Sequence, residues 1–233
     1  MPAQEINKSV VLTHPSGATA NVALYGATVT SWVAEGEERI FVSKKAIRDG
    51  SKAIRGGIPI VFPVFGTSEK VKLPQHVALS EKSLKTTLVV KNEDIDTFEF
   101  NTLLHTYLLV PDVEKVSVKG LESCHYLDKV KGGEKFLESN DLVTIGSEVD
   151  RVYCNVPDHL SVNIGNGSVI DITKSNLRDT VVWNPWVEKA QALADFGDDE
   201  YPNMICVEAG SVAEWVKLAG GQSWTGGQVL TVV

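Results

Sequence analysis

Apolar and polar residues alternate in short runs from early in the chain. Val10, Leu12 and His14 share one parity before a Pro15-Ser16-Gly17 turn, and Ala20, Val22 and Leu24 share the next before Tyr25-Gly26. Residues 29–33 form a third run, closed by the polar turn Glu35-Gly36-Glu37-Glu38, and residues 40–42 form a fourth. A two-residue period belongs to strands with one buried face. Short strands between such turns predict a sandwich or barrel. The pattern recurs at 85–90, 99–110, 115–118, 149–155, 160–164, 169–172, 180–183, 204–208, 213–218 and 229–233. A helical period is confined to 188–196, long enough for one or two turns. With no sequence repeat, linker or low-complexity tract, residues 1–233 read as one β-rich domain.

Residues 54–66 depart from this alternation: Ile-Arg-Gly-Gly-Ile-Pro-Ile-Val-Phe-Pro-Val-Phe-Gly. Arg55 carries a planar, permanently charged fork that suits phosphate or carboxylate. Gly56 and Gly57 admit backbone conformations, or close approaches, that other residues resist. Pro59 and Pro63 exclude a helix interior and sit poorly in a central strand. The expected shape is an irregular extended segment. Arg55 is then either delivered to a pocket floor or left exposed at the turn where a strand begins.

Composition narrows the class. Charged residues at 22% and the hydrophobic set at 43% describe an ordinary soluble globular chain. The net charge of −8, five arginines and the lack of a basic stripe argue against a nucleic-acid partner. Any anion site therefore depends on a local cation. No apolar run reaches membrane-spanning length, and the N-terminus lacks a signal peptide's apolar region. Cys124, Cys154 and Cys206 cannot all pair and show no metal spacing. Reduced thiols fit a cytoplasmic protein.

A few residues could carry chemistry. Strand alternation puts Leu103, His105 and Tyr107 on one face. His105 is either a structural histidine satisfied by one hydrogen bond or a general acid. Glu208 ends the apolar run Met204-Ile205-Cys206-Val207, where an unpaired buried carboxylate is costly. It must be exposed, paired or functional, and partial burial would raise its pKa toward a base's range. Trp183 and Trp186 flank an Asn-Pro corner and read as core packing or as a surface for sugar faces. Asp150 reads as a surface aspartate or an acceptor for hydroxyls. His14, His125 and His159 have no partner pattern. Asp195-Phe196-Gly197 spells the kinase metal triad without the other kinase motifs, and Asp198-Asp199-Glu200 lacks an EF-hand's ligand spacing; the latter reads as a solvated turn.

Taken in order, these motifs carry a resemblance. Arg-Gly-Gly-Ile-Pro at 55–59, Phe-Pro-Val-Phe-Gly at 62–66 and Pro-Gln-His at 74–76 come first. Leu-His-Thr-Tyr at 104–107, Glu-Val-Asp-Arg-Val-Tyr at 148–153, Val-Val-Trp-Asn-Pro-Trp at 181–186 and Cys-Val-Glu-Ala-Gly at 206–210 follow. Together they resemble the glucose-6-phosphate 1-epimerases, the hexose-6-phosphate mutarotases of the aldose 1-epimerase superfamily. The resemblance runs from about Lys8 to the C-terminus. It implies an all-β, galactose mutarotase-like β-sandwich (a supersandwich) and an isomerase that interconverts the α and β anomers of glucose 6-phosphate. It also implies His105 as the acid that protonates the ring oxygen and Glu208 as the base at the anomeric hydroxyl. His76 and Asp150 would contact the sugar, and Arg55 the 6-phosphate. No cofactor and no metal are implied; the expected partner is a hexose 6-phosphate, and a monomer is expected.

One departure stands out. The family continues Pro-Gln-His with Gly, Leu or Phe, Ala and Arg, and then with further strands. Here Val77-Ala78-Leu79-Ser80 follows His76, so the glycine, a second phosphate-binding arginine and central strands are missing. The junction near 76–80 reads as an internal deletion. Loss of strands exposes neighbouring edges and removes one charge-assisted contact, so weakened activity is expected. The alternative is a non-catalytic sugar-phosphate binder or an inactive isoform.

Overall fold

In a computed structural model, residues 8–64 and 75–233 are described. Strands β1 (Ser9–Thr13), β2 (Thr19–Ala23), β3 (Val29–Ala34) and β4 (Glu37–Glu38) form a four-stranded meander. The next strands are β5 (Ile60–Val61), β6 (Gln75–Leu79), β7 (Ser83–Lys91), β8 (Phe98–Leu104), β9 (Tyr107–Leu109), β10 (Ser117–Lys119), β11 (His125–Asp128) and β12 (Glu134–Leu137). They are followed by β13 (Leu142–Thr144), β14 (Val149–Cys154), β15 (His159–Asn163), β16 (Val169–Ser175), β17 (Asp179–Asn184), β18 (Met204–Leu218) and β19 (Ser223–Val232). A seven-stranded sheet runs β13-β10-β15-β16-β19-β7-β6. An eight-stranded sheet runs β12-β11-β14-β17-β18-β8-β5, with β9 also on β18. Every strand pairing among the described residues is antiparallel. This is the expected all-β sandwich.

Strand parity decides what lies where. On β18, Ile205, Val207 and Ala209 join a core shared with Val162, Ile170 and Leu230 of the other sheet. Met204 and Cys206 belong to a second cluster with Val181 and Trp183 of β17. Glu208 shares the parity of Cys206, so it projects from the second face. Filling the first face with aliphatic side chains is what fixes the register, because a one-residue slip would drive Glu208 into the hydrocarbon core.

The expected run 99–110 is two strands, β8 and β9, broken at His105-Thr106. The Thr106 amide turns back to the Leu104 carbonyl, and the Thr106 hydroxyl also accepts from Gln228 Nε2 at 2.6 Å, from the opposite sheet. The expected runs 204–208 and 213–218 are instead the single strand β18, with an irregular register between Ser211 and Val216. Residues 40–42 make only isolated bridges at Ile40 and Val42, and the pairing falls on Glu37–Glu38, which the sequence pattern assigns to a turn. The helical period resolves as α1 (Trp186–Ala192). Short strands such as β11 and β13 carry too few alternations to stand out in sequence.

The irregular segment at 54–58 is threaded between backbones. Gly57 donates to the Phe41 carbonyl and Ile58 to the Val29 carbonyl, while Tyr107 donates to the Gly57 carbonyl. Gly57 has φ +79°, and a methyl there would collide with the Val29 carbonyl oxygen. Gly56, at φ +118°, has the Val42 backbone in the same position. Both expected uses of glycine, positive φ and close approach, hold at these two positions.

Candidate active site

Two cross-strand rows on the second face of the eight-stranded sheet build the site. In the first, Asp150 of β14 pairs with Trp183 of β17, Trp183 with Cys206 of β18, and Cys206 with Tyr107 of β9. In the second, Val152 pairs with Val181 and Val181 with Glu208. His105 completes this row from the break between β8 and β9. Its Nδ1 lies 3.3 Å from Glu208 Oε1, although 103 residues separate the two in the chain.

The pair is held from its sides. The His105 ring stacks on Tyr107 with centroids 4.6 Å apart and planes 9° apart, and Trp183 meets both rings edge-on. The His105 amide donates to the Pro59 carbonyl. Glu208 is 1% exposed, and its Oε2 and the His105 Nδ1 have no hydrogen-bond partner among the described residues. Burial raises the Glu208 pKa well above the carboxylate range, and the charge of Asp150 adds to this. Burial, and then the charge of Arg55, pull the His105 imidazole far below its usual value. Desolvation thus favours neutral His105 beside protonated Glu208, with one proton on the pair.

Arg55 stands beyond Tyr107. It donates from Nη1 to the Tyr107 hydroxyl at 3.3 Å and from Nε to Asp195 Oδ1 at 3.2 Å. Of the two shapes open to this segment, the structure takes the one that carries Arg55 inward. Lys52 Nζ lies 3.1 Å from the other oxygen, Asp195 Oδ2. Asp195 is 2% exposed and follows α1, locked by the fully buried Phe196. Asp150 is half-buried, and burial raises its pKa. Asn184 holds the Asn-Pro corner: its amide donates to the Tyr201 and Met204 carbonyls, and its Oδ1 accepts from the Trp186 amide. That corner sends Trp183 to the site and packs Trp186 on Tyr201, 5.1 Å away.

Four of the five expected site residues therefore converge: His105, Glu208, Arg55 and Asp150. His76 does not. It is exposed on β6, the edge strand of the seven-stranded sheet, opposite Thr87. The short turn at Ser80–Ser83 forces 75–79 to pair with β7, which carries His76 into the sheet that lacks the acid–base pair. The residues before it, Pro74 included, lie outside those described. Sequence reading misses Asp195 and Lys52. Asp195-Phe196-Gly197 matches an unrelated motif, yet an acid wedged beside a buried phenylalanine is itself a sign of a paired, interior carboxylate. Glu200, expected in a solvated turn, is instead buried and accepts from the Ser43 hydroxyl and the Gly197 amide.

Chemically, the site offers a carboxylate and an imidazole within one hydrogen bond's reach, an aromatic wall and a cation to one side. A His105 ring nitrogen, Cys206 Sγ and a Glu208 oxygen also lie within 4.8 Å of one another, but burial pushes the Cys206 thiol up and so disfavours the thiolate that a metal site would need. No helix among the described residues is long and apolar enough to cross a membrane.

The chain is similar to several known proteins. A protein of Cenchrus ciliaris with the provisional name glucose-6-phosphate 1-epimerase is 36% identical over 279 residues, covering 97% of this chain and 85% of its own. That aligned span is longer than the whole 233-residue chain. An Escherichia coli K12 protein with the same provisional name is 29% identical over 90% of this chain and 85% of its own. The crystal structure of a provisionally named mutarotase from Salmonella typhimurium superposes with a TM-score of 0.81 at 22% identity, covering 97% of this chain and 90% of that one. The family profile described as aldose 1-epimerase matches residues 8–77 and 69–231, two stretches that meet at 69–77. The chain belongs to the aldose 1-epimerase family.

Proposed function

We propose that the chain interconverts the α and β anomers of a hexose 6-phosphate, glucose 6-phosphate first among them, with Glu208 and His105 exchanging one proton through the sugar. The observation that carries this reading is the 3.3 Å approach of His105 Nδ1 to Glu208 Oε1 in a desolvated setting. A cyclic hemiacetal opens when the anomeric hydroxyl loses a proton and the ring oxygen gains one. Ionised Glu208 removes the first and protonated His105 supplies the second. The C1–O5 bond breaks, and the open chain carries an aldehyde at C1 and a hydroxyl at C5. Rotation about C1–C2 presents the other carbonyl face. The C5 hydroxyl then returns its proton to His105 as O5 attacks C1, and Glu208 returns its proton to O1.

The pair holds one proton in total before and after each half. It alternates between imidazolium–carboxylate and imidazole–carboxylic acid, and the second form is the one that burial favours. A hydroxyl-rich substrate that solvates Glu208 shifts the balance toward the reactive form. Each correctly placed acid or base contributes about 10²–10⁴-fold. Trp183 and Tyr107 wall the sugar, Asp150 accepts from its hydroxyls, and Arg55 takes the 6-phosphate, fixing the ring against the pair.

The test is anomer exchange of glucose 6-phosphate followed by NMR magnetisation transfer. The expected result is exchange above the buffer rate, lost in both His105→Ala and Glu208→Ala. Full activity in either folded variant overturns the assignment.

A second reading, sugar-phosphate binding without turnover, is favoured by the position of His76 in the opposite sheet. It rests on the expectation that a segment is missing near 76–80. Calorimetric binding of glucose 6-phosphate with exchange no faster than buffer selects it. Under this reading, inserting a Gly-x-x-Arg segment with the expected further strands between His76 and Val77 restores exchange.

A further inference from the structure

We propose that Lys52 is the second cation of the phosphate subsite, and that Asp195 positions it beside Arg55. The inference rests on the reading that the substrate's phosphate lies at Arg55. A phosphate monoester dianion is held well by two cations or a bidentate fork. Arg55 alone is poorly placed to be that fork, because its Nε is engaged by Asp195 and its Nη1 reaches the Tyr107 hydroxyl. The other paired arginines are committed elsewhere: Arg39 to Glu37, Arg151 to Asp128 and Glu138, and Arg178 to Glu214.

Asp195 resolves the shortage by geometry. Its side chain is 3% exposed, so its charge must be paired. It uses one oxygen for Arg55 Nε at 3.2 Å and the other for Lys52 Nζ at 3.1 Å. One buried carboxylate thus draws two cations together and leaves the cluster with a net positive charge. The Lys52 side chain is 44% exposed and that of Arg55 27%. An ammonium has three donors, and Asp195 takes one. Among the described residues neither cation has a further side-chain hydrogen bond or ion pair, and both are partly exposed. Contacts run unbroken from Lys52 through Asp195, Arg55 and Tyr107 to the His105 ring, which sets the cluster three side chains away from the acid–base pair. That separation makes Lys52 a specificity-determining residue for a sugar phosphorylated on its primary hydroxyl.

Lys52→Met and Lys52→Arg test this. In Lys52→Met, the KM for glucose 6-phosphate is expected to rise about tenfold with kcat within about twofold, and the inhibition constant for inorganic phosphate to rise by a similar factor. Lys52→Arg restores most of both. A shift in kcat with KM unchanged, or phosphate binding equal to the parent's in Lys52→Met, overturns the proposal. Calorimetry with inorganic phosphate reads the same loss of affinity without turnover. If the protein exchanges no anomers yet binds phosphate through Lys52, the reaction assigned above fails and the clamp stands. If the parent protein binds no phosphate, the clamp fails.

Discussion

Glu208 of β18 and His105, from the break between β8 and β9, face each other at 3.3 Å, without a hydrogen bond between them. A structural histidine on a buried face would be satisfied by a single well-aligned bond. Here Glu208 Oε2 and His105 Nδ1 are left without one among the described residues. Buried polar groups are normally paired, and an unpaired couple of this kind is costly unless a ligand completes it.

The couple's proton count sets a pH dependence of stability. Unfolded, the carboxyl titrates at 4.5 and the imidazole at 6.5; folded, the first is raised and the second lowered. Between pH 4.5 and 6.5 the two shifts work against each other: the unfolded carboxyl gives up its proton before Glu208 does, while the unfolded imidazole holds one that buried His105 does not. Above 6.5 only the Glu208 shift acts, and stability falls as pH rises toward its raised folded value. An acid with a raised folded pKa contributes stability below its unfolded pKa and loses it as pH rises through the folded pKa. Glu208→Gln is therefore expected to abolish exchange while raising stability by about 1–2 kcal/mol at pH 8. Thermal melts from pH 5 to 9 check this: the His105 shift is common to both proteins and cancels, so the gain over the parent should grow as pH rises above the unfolded carboxyl's 4.5, and a constant gain would refute the linkage.

Catalysis by one shared proton predicts strong non-additivity. His105→Ala and Glu208→Ala should each lower kcat/KM about 10²–10⁴-fold, while the double variant should fall little below the worse single. Magnetisation-transfer rates on the three proteins measure it, and multiplicative losses would mean that the two residues act separately.

Tyr107 has two separable jobs. Its ring stacks on His105 and its hydroxyl meets Arg55. Tyr107→Phe keeps the ring and should raise KM about threefold to tenfold, the worth of one modest hydrogen bond, with kcat nearly intact. Tyr107→Leu removes the stack and should lower kcat as well. Steady-state kinetics on the two variants separate the roles.

Gly57 is the most constrained position in the Arg55 segment. Gly57→Ala forces a side chain into φ +79° and against the Val29 carbonyl. The expected loss is about 2–4 kcal/mol, seen as a Tm drop of roughly 5–10 °C. Gly17→Ala also has positive φ, at +91°, but nothing lies within 4 Å, so its loss should be about 1 kcal/mol. Equal losses would show that close approach adds nothing.

The alternating pattern by itself determined the all-β class, most of the strands and the parity that keeps Glu208 out of the aliphatic core, because a strand's faces depend only on odd and even positions. Local motifs, not the alternation, singled out Arg55, His105 and Glu208 as residues whose chemistry needed explaining, and left Asp150 open between a surface aspartate and an acceptor for hydroxyls. The alternation could not determine that His76 lies in the opposite sheet, since which sheet a strand joins depends on the hairpin that captures it. Nor could it place Lys52 and Arg55 on one carboxylate. Asp195 lies 140 residues from Arg55, and only the closing of the chain on itself brings the two within an ion pair's reach and buries the acid deeply enough to hold both cations.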